Sequence, residues 1–214
     1  MNRLPSANLA AYRSPLSCRP RGFTLIELLV VVAVLGILAA ISFPVFSAVQ
    51  NRARVSQTRS QFNQYITAME GYRSEYGYYP TFRLFTELDT PLSGDHHVRL
   101  NEFPNRREIF SVSLTGRRLN GERVSDDSFL GRAQANPRRH EFYEFSESEF
   151  NVDGEFVDAF GNPDIRIVID TDYNGQISAD ALNGLSLDQD FIRTGVAIYS
   201  VGNPNAGFPE VRSW

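Results

Sequence analysis

Residues 21–44 read "RGFTLIELLVVVAVLGILAAISFP", and the reading of this stretch decides the fold. Over 23–46 the chain is apolar except for Thr24, Glu27, Ser42, the small Gly36 and the helix-modifying Pro44. About 24 such residues are long enough to span a bilayer as a helix. A carboxylate placed in hydrocarbon costs on the order of 2.5–3.5 kcal/mol. Glu27, alone near the start of the run, therefore calls for a compensating partner.

The charge on either side of this run is uneven. Before Phe23 stand Arg3, Arg13, Arg19 and Arg21 and no acid. Taking those four arginines from a chain of formal charge −4 leaves about −8. A chain that acidic does not attract nucleic acid through bulk charge, so no nucleic-acid partner is expected. Its only cysteine, Cys18, lies in the same basic piece, so the remainder forms no disulfide within the chain and no cysteine metal site. With 42% hydrophobic and 21% charged residues, the rest supports a packed domain. The apolar run is too long for the core of an ordinary secretory signal and ends in no small-residue cleavage site. A plain membrane anchor with its basic end in the cytoplasm fits better. Neither accounts for Glu27.

The basic leader ending in Gly22, the Phe23 that follows, the "TLIE" step and the apolar run together resemble the prepilin signal of type IV pilins and type II secretion pseudopilins. The resemblance implies that a membrane peptidase/methyltransferase cuts after Gly22 and methylates the new terminus at Phe23. It makes Glu27 the fifth mature residue, the acid that pairs with the amine of a neighbouring subunit. Gly36 and Pro44 become the places where the helix kinks or loosens. Such a pair in low dielectric enforces register, because either charge alone is heavily penalised. A simpler reading lets Glu27 snorkel to the interface.

Beyond Pro44 the sequence turns polar but keeps Phe62, Ile66, Met69, Tyr72 and Tyr76 at steps of three and four, which predicts one buried helix face. Arg59, Asn63, Glu70 and Arg73 mark the opposite face. Gly77 and Pro80 end the helix, about 80 Å from its start if it is unbroken. Residues 81–160 read as loop-rich, with short elements near 107–114 and 141–145. Arg138, Arg139 and His140 read as a solvated basic cluster, and His96 and His97 as exposed histidines. "DIRIVID" alternates Ile165, Ile167 and Ile169 with Arg166, Val168 and Asp170, and "GVAIYSVG" follows at 195–202, so two strands of an antiparallel sheet are expected. "YRSEYGYYPT", "DAFGNP" and "IYSVG" resemble the major pseudopilin of type II secretion. The segment between is unmatched.

Between the strands lies "DTDYNGQISAD". Asp170, Asp172 and Asn174, with the main-chain carbonyl of Gln176, occupy the first ligand positions of an EF-hand loop. The closing acid is displaced to Asp180, since Ala181 holds the twelfth place. The competing reading is a polar turn around Asn174 and Gly175. The pseudopilin resemblance favours a structural calcium ion here; no other cofactor is expected.

No nucleophile, P-loop or metal-protease motif is present, so the chain is not expected to be an enzyme. The expected fold class is α+β, a long N-terminal helix packed on a small antiparallel sheet. The expected organisation is a leader at 1–22, a transmembrane or fibre-core half helix at 23–46, an amphipathic half at 47–76 and a head at 77–214. The resemblance implies a single-pass subunit of the bacterial inner membrane with its head in the periplasm, which then joins a periplasmic or extracellular filament. Its partners are the peptidase, other pilin or pseudopilin subunits, an inner-membrane assembly platform and membrane lipid. Within that picture it is read first as a type II secretion pseudopilin supporting protein export. The alternatives are a type IV pilin for adhesion, motility or DNA uptake, and a membrane-tethered binding module that never polymerises.

Overall fold

The computed structural model describes residues 22–83, 92, 94–125, 135–182, 185 and 189–214, with backbone only at 41–45. The basic leader up to Arg21, with Cys18, lies outside the described residues. Two compact units divide between Ser47 and Ala48. In the first, helix α1 (Leu25–Tyr76) begins and runs through Gly36 and Pro44 without a break in its assignment. Among the described residues no helix is long and apolar enough to cross a membrane. The side chains at 41–45, inside the expected span, are not described.

The second unit is an α+β head. Strands β1 (Asp95–Arg99), β2 (Ile165–Asp170), β5 (Val196–Ser200) and β6 (Val211–Arg212) form one antiparallel sheet in the order β1-β2-β5-β6. Helix α2 (Pro104–Thr115) and a small pair, β3 (Ile177–Ser178) with β4 (Phe191–Ile192), complete it. The α1 face read from spacing packs as expected at Phe62, Met69 and Tyr72, which are buried; Ile66 and Tyr76 are half-buried. Tyr65 and Ala68 join that face, while Arg59, Asn63, Glu70 and Arg73 stay exposed. Against it lie Ile165, Ile167 and Ile169 of β2, Val196 and Ile198 of β5, and Ile109 and Phe110 of α2.

Other expectations change or sharpen. Val168 and Asp170 are buried although they point away from α1. Ile177, Leu182 and Ile192 cover that second face around Val168, Ala197 and Tyr199, so β2 is buried on both sides. His96 and His97 are not solvated surface residues. They lie half-buried on β1, with His96 Nε2 3.0 Å from the Thr81 carbonyl and His97 Nε2 3.3 Å from the Tyr199 hydroxyl. Strand β1 exists because it pairs with β2, a non-local contact that "DHHVR" does not announce. The element expected near 107–114 is a full helix of 12 residues. Pro104 starts it, and Gly116, at φ 68°, ends it where a Cβ would meet the Arg139 backbone at 2.8 Å. At 141–145 no regular element forms.

Polar side chains tie the irregular middle to α1. Tyr65 donates its hydroxyl hydrogen to the buried Glu149 carboxylate, which also accepts from Tyr143 at 3.0 Å and from the Ser146 amide at 2.9 Å. Gln61 donates to the Tyr65 oxygen at 3.0 Å and to the Val157 carbonyl at 2.9 Å. Burial next to Glu149 pushes the Tyr65 phenol well above its ordinary range, so Tyr65 keeps its hydroxyl proton and remains the donor around neutral pH. Arg138, exposed as expected, pairs with Glu75 of α1.

Candidate processing and assembly site

Gly22, Phe23 and Thr24 precede the first helical residue, Leu25, and are exposed. The bond between Gly22 and Phe23 therefore lies outside the helix. A Cβ added at Gly22 meets nothing within 4 Å, and its φ is not in the left-handed region. Nothing in this chain's own conformation demands glycine there.

Glu27 is compensated locally. Its Oε2 accepts from the Thr24 amide and the Thr24 hydroxyl, both at 2.9 Å, and its own amide donates back to Thr24 Oγ1 at 3.2 Å. This is a reciprocal capping box at a helix start, where two amides would otherwise lack partners. The spacing of Thr24 and Glu27 carried that signal, and the sequence reading above did not use it. Glu27 Oε1 makes no hydrogen bond among the described residues, so the box consumes one carboxylate oxygen and leaves the other to an outside donor. Behind it the apolar side chains are uncovered: Leu25 is 88% exposed, Leu29 69% and Ile37 63%. A contiguous apolar surface of that kind marks contact with lipid or protein.

The five residues read as a calcium loop are partly brought together. Asp170, buried at the end of β2, accepts from the Gly175 amide at 2.8 Å through Oδ2. Asp172 accepts from the Asn174 amide at 3.2 Å and side chain at 3.0 Å. Asn174 Oδ1 accepts from the Gln176 amide at 2.7 Å. The loop's oxygens thus stabilise its own backbone. Asp180 lies farther on, exposed, in a short 3-10 helix (Ala179–Ala181). The sequence reading missed Asp95, which faces Asp170 directly across β1 and β2. Asp95 Oδ2 accepts from Ser178, while its buried Oδ1 has no hydrogen-bond partner. Among the described residues no three His, Cys, Asp or Glu side chains are placed to hold a metal ion. A cation here would draw on Asn174 and main-chain carbonyl oxygen besides the carboxylates, which is hard-ion chemistry.

A surface cleft of about 520 Å³ opens between α2 and residues 141–150, lined by Arg117, Arg118, Glu144, Tyr143 and Phe145. Its serine, Ser111, donates to the Arg117 carbonyl at 3.1 Å, so it is not paired with a base.

The prokaryotic N-terminal methylation motif matches residues 18–43. The chain is similar to the type IV major pilin protein PilA of Myxococcus xanthus (strain DK1622), 45% identical over 64 residues, 30% of this chain and 29% of that one. It is similar to the type IV major fimbrial protein FimA of Dichelobacter nodosus, 50% identical over 50 residues, 23% of this chain and 32% of that one. It is also similar to the type IV major pilin protein PilE1 of Neisseria gonorrhoeae, 38% identical over 102 residues, 48% of this chain and 57% of that one. The chain thus spans only about a third of the length of the first two. No solved structure matches it significantly.

Proposed function

We propose that this chain is a subunit of a prepilin-type filament, cut after Gly22, methylated at Phe23 and polymerised through the N-terminal part of α1. One observation carries the reading. The methylation motif falls on an exposed, non-helical junction that leads into a helix whose apolar side chains this chain leaves uncovered. Burying that surface against copies of itself is favourable by about 25 cal/mol per Å². Glu27 Oε1 then accepts a neighbour's terminal amine while Oε2 keeps the helix start capped.

The subunit starts in the inner membrane, among lipid, with a peptidase/methyltransferase and an assembly platform as partners. Two filaments use such a subunit. The relatives' names favour a type IV pilus; the resemblance of "DAFGNP" and "IYSVG" to the major pseudopilin favours a type II secretion filament. A structural calcium ion near Asp170, Asp172 and Asp95 belongs to the same proposal, pinning a head that has no disulfide. No catalytic role is part of it.

Mass spectrometry of the mature terminus is the test, with methyl-phenylalanine at position 23 expected. An intact leader at 1–22 overturns the proposal. Protein in sheared surface fractions identifies a pilus, and loss of export on deletion identifies the secretion filament. A processed chain that stays monomeric in membranes identifies a tethered module and overturns polymerisation.

A further inference from the structure

The charges of the second unit are sorted along α1. At its lower end Ala159 donates to Thr58 Oγ1 at 3.2 Å, which ties the Ile165 and Ser200 end of the sheet to this part of the helix through the turn at 158–164. Arg52 and Arg59 stand exposed there, seven residues apart and so on one helix face. Arg54 lies over the Phe160 ring at 5.9 Å. No acid occurs between Glu27 and Glu70 to balance these arginines. Arg166 and Arg212, at the same end of the sheet, are already paired with Asp164 and Glu210.

At the upper end Tyr173 stacks on Tyr79 with ring centroids 6.1 Å apart, and the Arg73 guanidinium lies 4.7 Å from one ring and 5.3 Å from the other. That contact fixes the Asp170 end of the sheet to the end of α1. Asp172, Asp180 and Asp190 are exposed in this region; no arginine occurs from 167 to 192, and the exposed Arg193 just beyond lies over the Phe191 ring at 6.0 Å. Arg59 and Arg73 are 14 residues apart, about 21 Å along the helix. Arg52 and Arg59 therefore sit beyond one Debye length, about 8 Å in physiological salt, from the acids around Asp172, and the two sets do not neutralise one another within a copy. Over 60–214 the chain holds 24 acids against 14 arginines, so the arginine face meets its complement in the acidic end of another head.

We propose that copies of this chain dock head to tail, with the Arg52 and Arg59 face of one against Asp172, Asp180 and Asp190 of the next. The proposal rests on the filament reading and names a contact within it. Two different surfaces used once each make a heterologous contact, which extends into a line instead of closing into a dimer.

The test uses the full chain in its host membrane, with a chelator present so that no cation bridges the aspartates. The only natural cysteine lies in the leader, so introduced cysteines are alone in the mature chain. Arg59→Cys combined with Asp190→Cys gives an oxidised ladder of trimers and longer species, while either single variant gives no ladder. Arg52→Glu with Arg59→Glu lowers filament yield about tenfold, as like charges across an interface do, and adding Asp180→Arg with Asp190→Arg recovers most of it. Methylated filaments that form without the ladder, or that ignore the charge reversal, overturn the docking and leave the filament reading standing. A chain that keeps its leader and never polymerises overturns both.

Discussion

The Tyr79 hydroxyl occupies the space where residue 195 would carry a Cβ: an atom built there stands 2.1 Å from the Tyr79 oxygen. Tyr79 cannot yield easily. It is 2% exposed, accepts from Arg73 at 2.8 Å and donates to Glu70 at 2.5 Å. Gly195→Ala is expected to destabilise the head by about 1–3 kcal/mol, the usual range for overpacking. Tyr79→Phe removes the obstructing oxygen, so the double variant is less destabilised than the sum of the singles. Denaturant unfolding of the four proteins checks this, and strict additivity would refute it.

Glu27 has two roles that substitution separates. Gln retains an oxygen for the capping box but has no charge; Ala loses both. Glu27→Gln is expected to be processed and to fail in assembly as badly as Glu27→Ala. Thr24→Ala removes the hydroxyl's share of the box and leaves the carboxylate charge, costs the helix about 1 kcal/mol, and still assembles. Quantifying mature protein and filaments for the three variants decides it. Normal filaments from Glu27→Gln would leave Glu27 with the cap as its only role.

Asp158 is a buried carboxylate with no cationic partner among the described residues. Its Oδ1 accepts the Phe160 and Asn162 amides at 2.8 and 3.0 Å, while Oδ2 and the buried Ser200 hydroxyl lack good hydrogen-bond geometry. Burial, only partly opposed by those amides, holds its pKa above the ordinary 3.8. A raised carboxyl pKa means the folded state binds the proton more readily than the unfolded chain. Stability is therefore lowest once Asp158 is ionised in both states, and it climbs as pH falls through the folded pKa toward 3.8. Asp158→Asn keeps Oδ1 and places a donor toward Ser200. It should raise Tm by about 2–4 °C at pH 7 and lose that advantage near pH 4. An unchanged or lower Tm at pH 7 would contradict this account.

The calcium proposal is tested by melting. Millimolar calcium is expected to raise the Tm of the head, and Asp172→Ala or Asp95→Asn to abolish the rise. Ligand binding to the folded state alone stabilises by RT ln(1 + [L]/Kd), about 2.7 kcal/mol at a hundredfold excess over Kd. A Tm indifferent to calcium and to chelator would dispose of the ion.

Two parts of this protein were legible because their signals are local. The buried face of α1 follows from residues three and four apart, and β2 and β5 follow from alternation. The helix start is just as local, in the Thr24 and Glu27 capping box within "TLIE", but that signal went unused. Strand β1 was not legible: its two adjacent histidines match neither period, and only pairing with β2 makes "DHHVR" a strand. Nor was the second burial of β2, because the residues covering Val168 come from 177–192.

By itself, then, the sequence determined the long helix that begins beyond Phe23 and the acid in its first turn. These depend on contacts within four residues, which adjacent side chains settle alone. Tertiary structure decided that Gly195 must lack a side chain, that Asp95 faces Asp170, and that Arg59 and Asp172 stand at opposite ends of one head. Each depends on which distant segments the sheet brings together, and strand pairing fixes that only when the whole core closes.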